Sequence, residues 1–142
     1  MISAQPVPEI EYRKRSMSDE ISSPAFPPDR SEVTIGTRTV GNAVVVALSD
    51  VVDAATAPEV TAEIEKVFDG APGAVIVDLC GVTFLASAGM TVLLKAKERA
   101  GSEIGFAVVA DSAVTRRPLT VLGLDAELSL CPSLDAALRQ VS

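Results

Sequence analysis

Hydrophobic and polar positions along the chain fall into two regimes that meet at Glu32. Before it, no apolar period of 2 or 3.6 survives. From Glu32 onward, periodic segments follow one another closely. Val33-Thr34-Ile35 alternates and predicts a first strand, and Gly41-Asn42 predicts a hairpin-like turn into Ala43–Leu48. That run is apolar throughout, as expected of a strand buried on both faces. Thr56-Ala57-Pro58-Glu59 has the spacing of a capping box with proline in the first turn. Val60, Ile64, Val67 and Phe68 then stand at i, i+4, i+7 and i+8, one apolar stripe on a helix. A glycine cap at Gly70 and the following Pro72 predict where this helix stops.

Ala74–Leu79 predicts a second buried strand, and a loop is expected over Gly81–Leu85. The small residues Ala86, Ser87, Ala88 and Gly89 lead into a second helix marked by Met90, Leu93, Leu94 and Ala100, with Lys95, Lys97 and Glu98 outward. Ile104–Ala110 reads as another buried strand. Asp111 or Ser112 caps a third helix through Val114, Val121 and Leu122, delayed or kinked by Pro118. Leu128–Leu130 suggests a short strand. Ser133 caps a last helix with Leu134, Ala137, Leu138 and Val141 inward. The order ββαβαβα(β)α predicts an α/β domain over residues 32–142: a mixed, mainly parallel sheet with about four helices, right-handed crossovers and an antiparallel first pair. Residues 1–31 hold five of the nine prolines, several serines and both charge signs, and predict a disordered tail.

Composition narrows the chemistry. The formal charge of −7 argues against a nucleic-acid partner, which needs a basic face. The tail holds five acids and four bases, so −6 belongs to residues 32–142. Histidine is absent, which removes imidazole acid–base chemistry, Ser-His-Asp sites and His-ligated metals. Gly36 and Gly41 have the separation of a phosphate-loop pair but lack the following Lys-Ser/Thr, and they lie between strands. No metal and no cofactor are expected. The longest apolar run, Ala43–Leu48, is too short to span a bilayer, and no secretory signal opens the chain, so a cytoplasmic protein without membrane insertion is expected. Two cysteines make neither a disulfide framework nor a four-ligand zinc site. Free cysteines ordinarily fill small apolar gaps. Because Cys80 ends the strand before the Ser87 segment, Cys80 and Cys131 are also a candidate redox pair, which their sequence separation neither forbids nor supports.

Two positions carry candidate chemistry. Asp53 follows a buried strand where a strand-to-helix loop would open at one end of the sheet. Ser87 stands in the first turn of a helix, where it reads either as an N-cap or as a phosphorylation site, and the two roles are compatible. At these residues the chain resembles the anti-sigma factor antagonists, whose fold is the STAS domain. The resemblance runs from about Val33 to Val141. Its markers are Leu48–Asp53, Val77–Leu85, Ala86-Ser87-Ala88-Gly89, Asp111–Arg117 leading to Leu122-Gly123-Leu124, and Pro132–Leu138.

The resemblance implies a non-enzymatic binding module, a monomer or weak dimer. It would bind a kinase-type anti-sigma factor and so release a sigma factor. Phosphorylation of Ser87 by that partner ends the binding in such proteins. Asp53, Ala86, Ser87, Ala88, Gly89 and Met90 are the implied partner-binding residues. The chain departs from the family motif: Ala86 stands where it has aspartate, Ala88 where it has Ser or Thr, and Gly89-Met90-Thr91 replaces Gly-Leu-Gly. These changes take a carboxylate and a hydroxyl from beside Ser87, so the expectation is weaker or absent kinase recognition of Ser87, and with it constitutive binding. An alternative reading is a STAS accessory subunit of a transporter or larger signalling assembly, without a phosphorylation switch. A serine enzyme built on Ser87 is disfavoured, because Lys95 and Lys97 lie at least two helical turns away and no histidine can serve as base.

Overall fold

The computed structural model describes residues 31–142; the expected tail, apart from Ser31, lies outside the described residues. Strand β1 (Val33–Val40) and strand β2 (Ala43–Val52) pair antiparallel from Val33↔Asp50 to Val40↔Ala43. The two-residue turn between them has Gly41 at φ 63, a conformation that favours glycine at the first central position of a tight hairpin. β1 runs five residues beyond the alternation of Val33–Ile35. As the edge of the sheet it pairs on one side only, and it tolerates the exposed Thr37, Arg38 and Thr39.

Strands β3 (Ala74–Leu85), β4 (Gly105–Val109) and β5 (Leu130–Cys131) add in parallel, giving the order β1-β2-β3-β4-β5. The crossovers carry α1 (Ala57–Asp69), α2 (Ser87–Ala100) and α3 (Ala113–Val121), and α4 (Leu134–Val141) follows β5. Because each crossover steps the same way along the sheet, right-handed connections bring the first three helices to one face. Two cores follow from this. Val46, Leu48, Val75, Val77 and Val108 pack with Val60, Ile64 and Phe68 of α1, Met90 and Leu93 of α2, and Leu119 of α3. On the other face Val45, Ile76, Ala107 and Val109 pack with Ala137 of α4. Across the outer ends of α1 and α2, Arg99 bonds Glu65, reaches Asp69 at 3.0 Å and lies over the Phe68 ring.

Three local expectations are corrected. β3 does not end at Leu79 but continues to Leu85 through the expected loop. Its register against β2 slips twice, between Ala47/Ser49 and between Asp50/Val51, each time leaving one extra residue on β3. These are β-bulges. They change the inward spacing to Leu79, Val82 and Leu85, a period of three that hides a strand from a search for alternation. The predicted glycine stop of α1 is also different: Gly70 keeps φ −79, and the left-handed residue is Ala71 at φ 53. Finally, α3 buries Thr115 and Leu119, and the apolar positions by which the sequence marks it, Val114, Val121 and Leu122, face outward.

Candidate functional site

β2 and β3 end side by side, with Val52 opposite Leu85 as their last pair. The chain therefore leaves the sheet at two adjacent points, Asp53 and Ala86. The Ala86 N–H donates to the Val52 carbonyl at 2.9 Å, which extends the ladder by one residue and ties the two exits together.

At the first exit, half-buried Asp53 starts the turn that becomes α1. Its Oδ1 accepts the N–H groups of Ala55 at 3.0 Å and Thr56 at 3.1 Å, and its carbonyl accepts the Ala57 N–H at 2.8 Å. Oδ2 accepts the hydroxyl of Ser31 at 2.5 Å. The Ser31 bond, chiefly, holds the Asp53 carboxyl below the usual carboxylate range; partial burial opposes it, and the Thr56 and Ala55 bonds add to it. Asp53 thus braces the turn over residues 54–56 that leads into α1, whose N-cap, Thr56, makes no side-chain cap bond. The capping box does not form around the Thr56 hydroxyl, because that hydroxyl is buried and turned back to the sheet. It donates to the Val51 carbonyl at 2.9 Å and accepts the Asp53 N–H at 3.0 Å.

At the second exit, the N-cap of α2 is Ala86, extended at φ −90 and ψ 171, with no side chain able to accept a bond. Ser87 is the first helical residue, so its expected role as N-cap is corrected. The Ser87 side chain is exposed, while its carbonyl accepts the Thr91 hydroxyl at 3.1 Å. The first turn contains no acidic residue. The partial positive charge of the helix start therefore has no carboxylate of that turn beside it.

Ala86 and Ala88 are half-buried, whereas Gly89 and Met90 are buried. This corrects, for Gly89 and Met90, the expectation that all six residues face a partner. A Cβ at Gly89 would meet Val52 Cγ1 at 2.7 Å, Leu85 Cδ1 at 2.8 Å and the Val52 carbonyl oxygen at 3.0 Å. Glycine lets the start of α2 press onto the β2 and β3 ends, and Met90 anchors it in the core. The accessible part of the predicted set is Ser87, flanked by Ala86 and Ala88, with Asp53 alongside.

Sequence reading missed a neighbour of this edge. Phe84, two residues before Ala86, is 53% exposed. The second bulge turns it outward: Thr83 and Phe84 are both exposed between inward Val82 and Leu85, and the Thr83 hydroxyl donates to the Asp50 carbonyl at 3.1 Å. The three-residue apolar period from Leu79 was the signal that could have found it.

The candidate redox pair is corrected by topology. Cys80 and Cys131 are free thiols on β3 and β5, with β4 between them. Two strand spacings amount to about 9.5 Å, beyond the roughly 7 Å Cα separation that a disulfide spans. Although Cys80 is exposed as a residue, loss of water around its sulfur pushes the thiol up to about 12, with Asp78 and then Asp111 adding to the effect. Burial also raises the Cys131 thiol, against a smaller opposing effect of Arg116. Among the described residues, no group of three His, Cys, Asp or Glu could hold a metal, and no helix is long and apolar enough to cross a membrane.

Residues 35–134 match the family described as "Mlab, STAS domain". The anti-sigma-F factor antagonist RsfB of Mycobacterium tuberculosis is 34% identical over 114 residues, covering 80% of this chain and 92% of that protein. The crystal structure of an anti-sigma factor antagonist from Mycobacterium paratuberculosis is 38% identical, with a TM-score of 0.75 over 78% of this chain and 94% of that one. Unphosphorylated SpoIIAA, also an anti-sigma factor antagonist, shares the fold at a TM-score of 0.62 and 20% identity, over 76% of this chain and 96% of that one.

Proposed function

From the premise that the chain belongs to the STAS domain family, we propose that it is an anti-sigma factor antagonist. It binds a kinase-type anti-sigma factor in the cytoplasm as a non-enzymatic monomer or weak dimer, and so frees a sigma factor. Phosphorylation of Ser87 ends that binding. The observation that carries the reading is the state of Ser87: an exposed side chain at the first position of α2, beside the Asp53 turn. A serine spent as an N-cap would have its oxygen engaged by the helix. This one is presented to a partner.

The chemistry fits a switch. A phosphate adds about −1.5 to −2 of charge. The helix start offers N–H donors and a favourable dipole to it, so the modified domain stays folded. A partner that covers Ser87 in its neutral form would instead have to desolvate that charge, and affinity falls. Ala86 and Ala88 leave Ser87 as the hydroxyl of this short segment, so the switch rests on one position.

The test combines intact-mass spectrometry after incubation with ATP and candidate anti-sigma factors with calorimetric titration of two variants. One phosphate on Ser87 with loss of complex is expected. Ser87→Asp should bind at least roughly tenfold more weakly, a change of about 1.4 kcal/mol, and Ser87→Ala should retain affinity. A stable complex to which both variants bind equally would remove Ser87 from the mechanism. Recovery of a transporter subunit, with no anti-sigma complex, would overturn the function itself.

A further inference from the structure

The described residues expose four large hydrophobic side chains, and three of them belong to one short helix and its cap: Val114 at 48%, Val121 at 76% and Leu122 at 59%. Scattered single exposures need no explanation, whereas a cluster on one face does. Val114, Arg117 and Val121 stand at i, i+3 and i+7 on α3, one stripe of the helix, opposite the buried Thr115 and Leu119. Leu122 is the C-cap, held by its N–H to the Pro118 carbonyl at 3.2 Å and followed by Gly123 at φ 74. Its exposure is therefore set by a regular helix end.

Charge says what covers this stripe. The chain is −7 overall, yet α3 contains Arg116 and Arg117 and no acid. Arg116 is tied down, donating from Nη1 to the Ala110 carbonyl at 2.8 Å. Arg117 is exposed among the aliphatics, and among the described residues it takes part in no ion pair. A second copy in twofold antiparallel contact would bring Arg117, the midpoint of the helix, against its own mate. Like charges in contact disfavour that arrangement.

We propose that the outer face of α3, formed by Val114, Arg117, Val121 and Leu122, is a docking surface for an acidic amphipathic segment of a partner protein. Aliphatic anchors on the segment cover the valines and the leucine, and a carboxylate on it pairs with Arg117. The contact is separate from Ser87 and does not depend on its phosphorylation.

The test follows the amide spectrum of the 15N-labelled full chain, at low salt, with two model peptides. One is an amphipathic helix of Leu and Glu; the other is the same peptide with Lys at every Glu. The net charge of the chain would by itself favour the Lys peptide, so the sign of the preference is diagnostic. Saturable shifts confined to residues 113–122, with the Glu peptide bound at least roughly tenfold more tightly, are expected. Arg117→Glu should reverse the preference, Val121→Ser should weaken both peptides, and Ser87→Asp should change neither. Equal or preferred binding of the Lys peptide would overturn the proposal. So would self-association abolished by Val121→Ser, or shifts outside α3. Because Arg117 and Val121 are exposed, an unchanged spectrum away from α3 identifies folded variants.

Discussion

At the scale of single residues, Asp53 and Cys80 show how neighbours set reactivity. Asp53 spends one oxygen on the turn N–H groups of Ala55 and Thr56 and the other on the Ser31 hydroxyl, so Asp53→Ala should lower stability by about 1–2 kcal/mol, the scale of lost hydrogen bonds to a partly exposed charged group. Its carboxyl lies below its ordinary value of 3.8 in the folded chain. The ionised group therefore contributes fully above that value and loses its contribution as pH falls through the lower, folded value. Urea titrations of both proteins should show a gap that is constant from neutral pH down to about pH 5 and narrows in stronger acid; a gap that widens in acid would contradict these bonds. Cys80 should alkylate slowly for an exposed thiol. Raising it from 9.0 to about 12 lowers the thiolate fraction at neutral pH, and greater nucleophilicity offsets part of this, leaving a rate roughly thirtyfold below an ordinary cysteine. Asp78→Asn should speed it up. Labelling at the ordinary rate would mean that the sulfur keeps its water and is not held beside carboxylates.

At the scale of elements, Ala71 and Gly89 sit against local preference in opposite senses. Ala71 adopts φ 53 where α1 gives way to β3, with its N–H on the Phe68 carbonyl at 2.9 Å. A left-handed alanine costs about 1–2 kcal/mol, of which glycine would return part after its own unfolded-state entropy. Ala71→Gly should therefore raise the thermal midpoint by a few degrees, and a lower midpoint would show the turn to be unstrained. Gly89 is the converse case. A methyl group there must displace Val52 and Leu85 or lift α2 off the sheet, so Gly89→Ala should destabilise by about 1–3 kcal/mol, the range of overpacking. The amide shifts of Ala86 and Ser87 should move with it. A neutral outcome would mean that the two strand ends are not packed as closely as described.

At the scale of the whole molecule, the sheet is regular at one end and irregular at the other. Ala43–Ala47, Ala74–Asp78 and Gly105–Val109 pair in register and are largely buried, whereas Gly81–Leu85 pairs through two bulges with exposed residues between them. Native-state hydrogen exchange should show the first set opening with the global free energy and the Gly81–Leu85 amides exchanging several kcal/mol sooner. Uniform protection along β3 would contradict this division. The gradient puts Asp53, Phe84 and Ser87 at the adaptable end of a rigid scaffold.

What the chain order determined by itself is the architecture. Val60, Ile64 and Phe68 at helical spacing, and the unbroken apolar runs of β2, β3 and β4, each commit a segment through local periodicity. One-directional right-handed crossovers then leave little choice of topology. The family markers likewise drew attention to Asp53 and Ser87. Tertiary structure decided the rest, wherever a residue's role depends on a neighbour distant in sequence. Thr56 makes no side-chain cap bond because the β2 end captured its hydroxyl, and Asp53 braces the turn before the helix instead. Gly89 and Met90 turned inward because two strand ends meet at α2. Cys80 and Cys131 were parted by β4. The periodicity of α3 was legible as a stripe of Val114, Val121 and Leu122, but not which way it faces. A helix of nine residues can bury either side, and packing of Thr115 and Leu119 against the sheet selected the one that left the stripe outside.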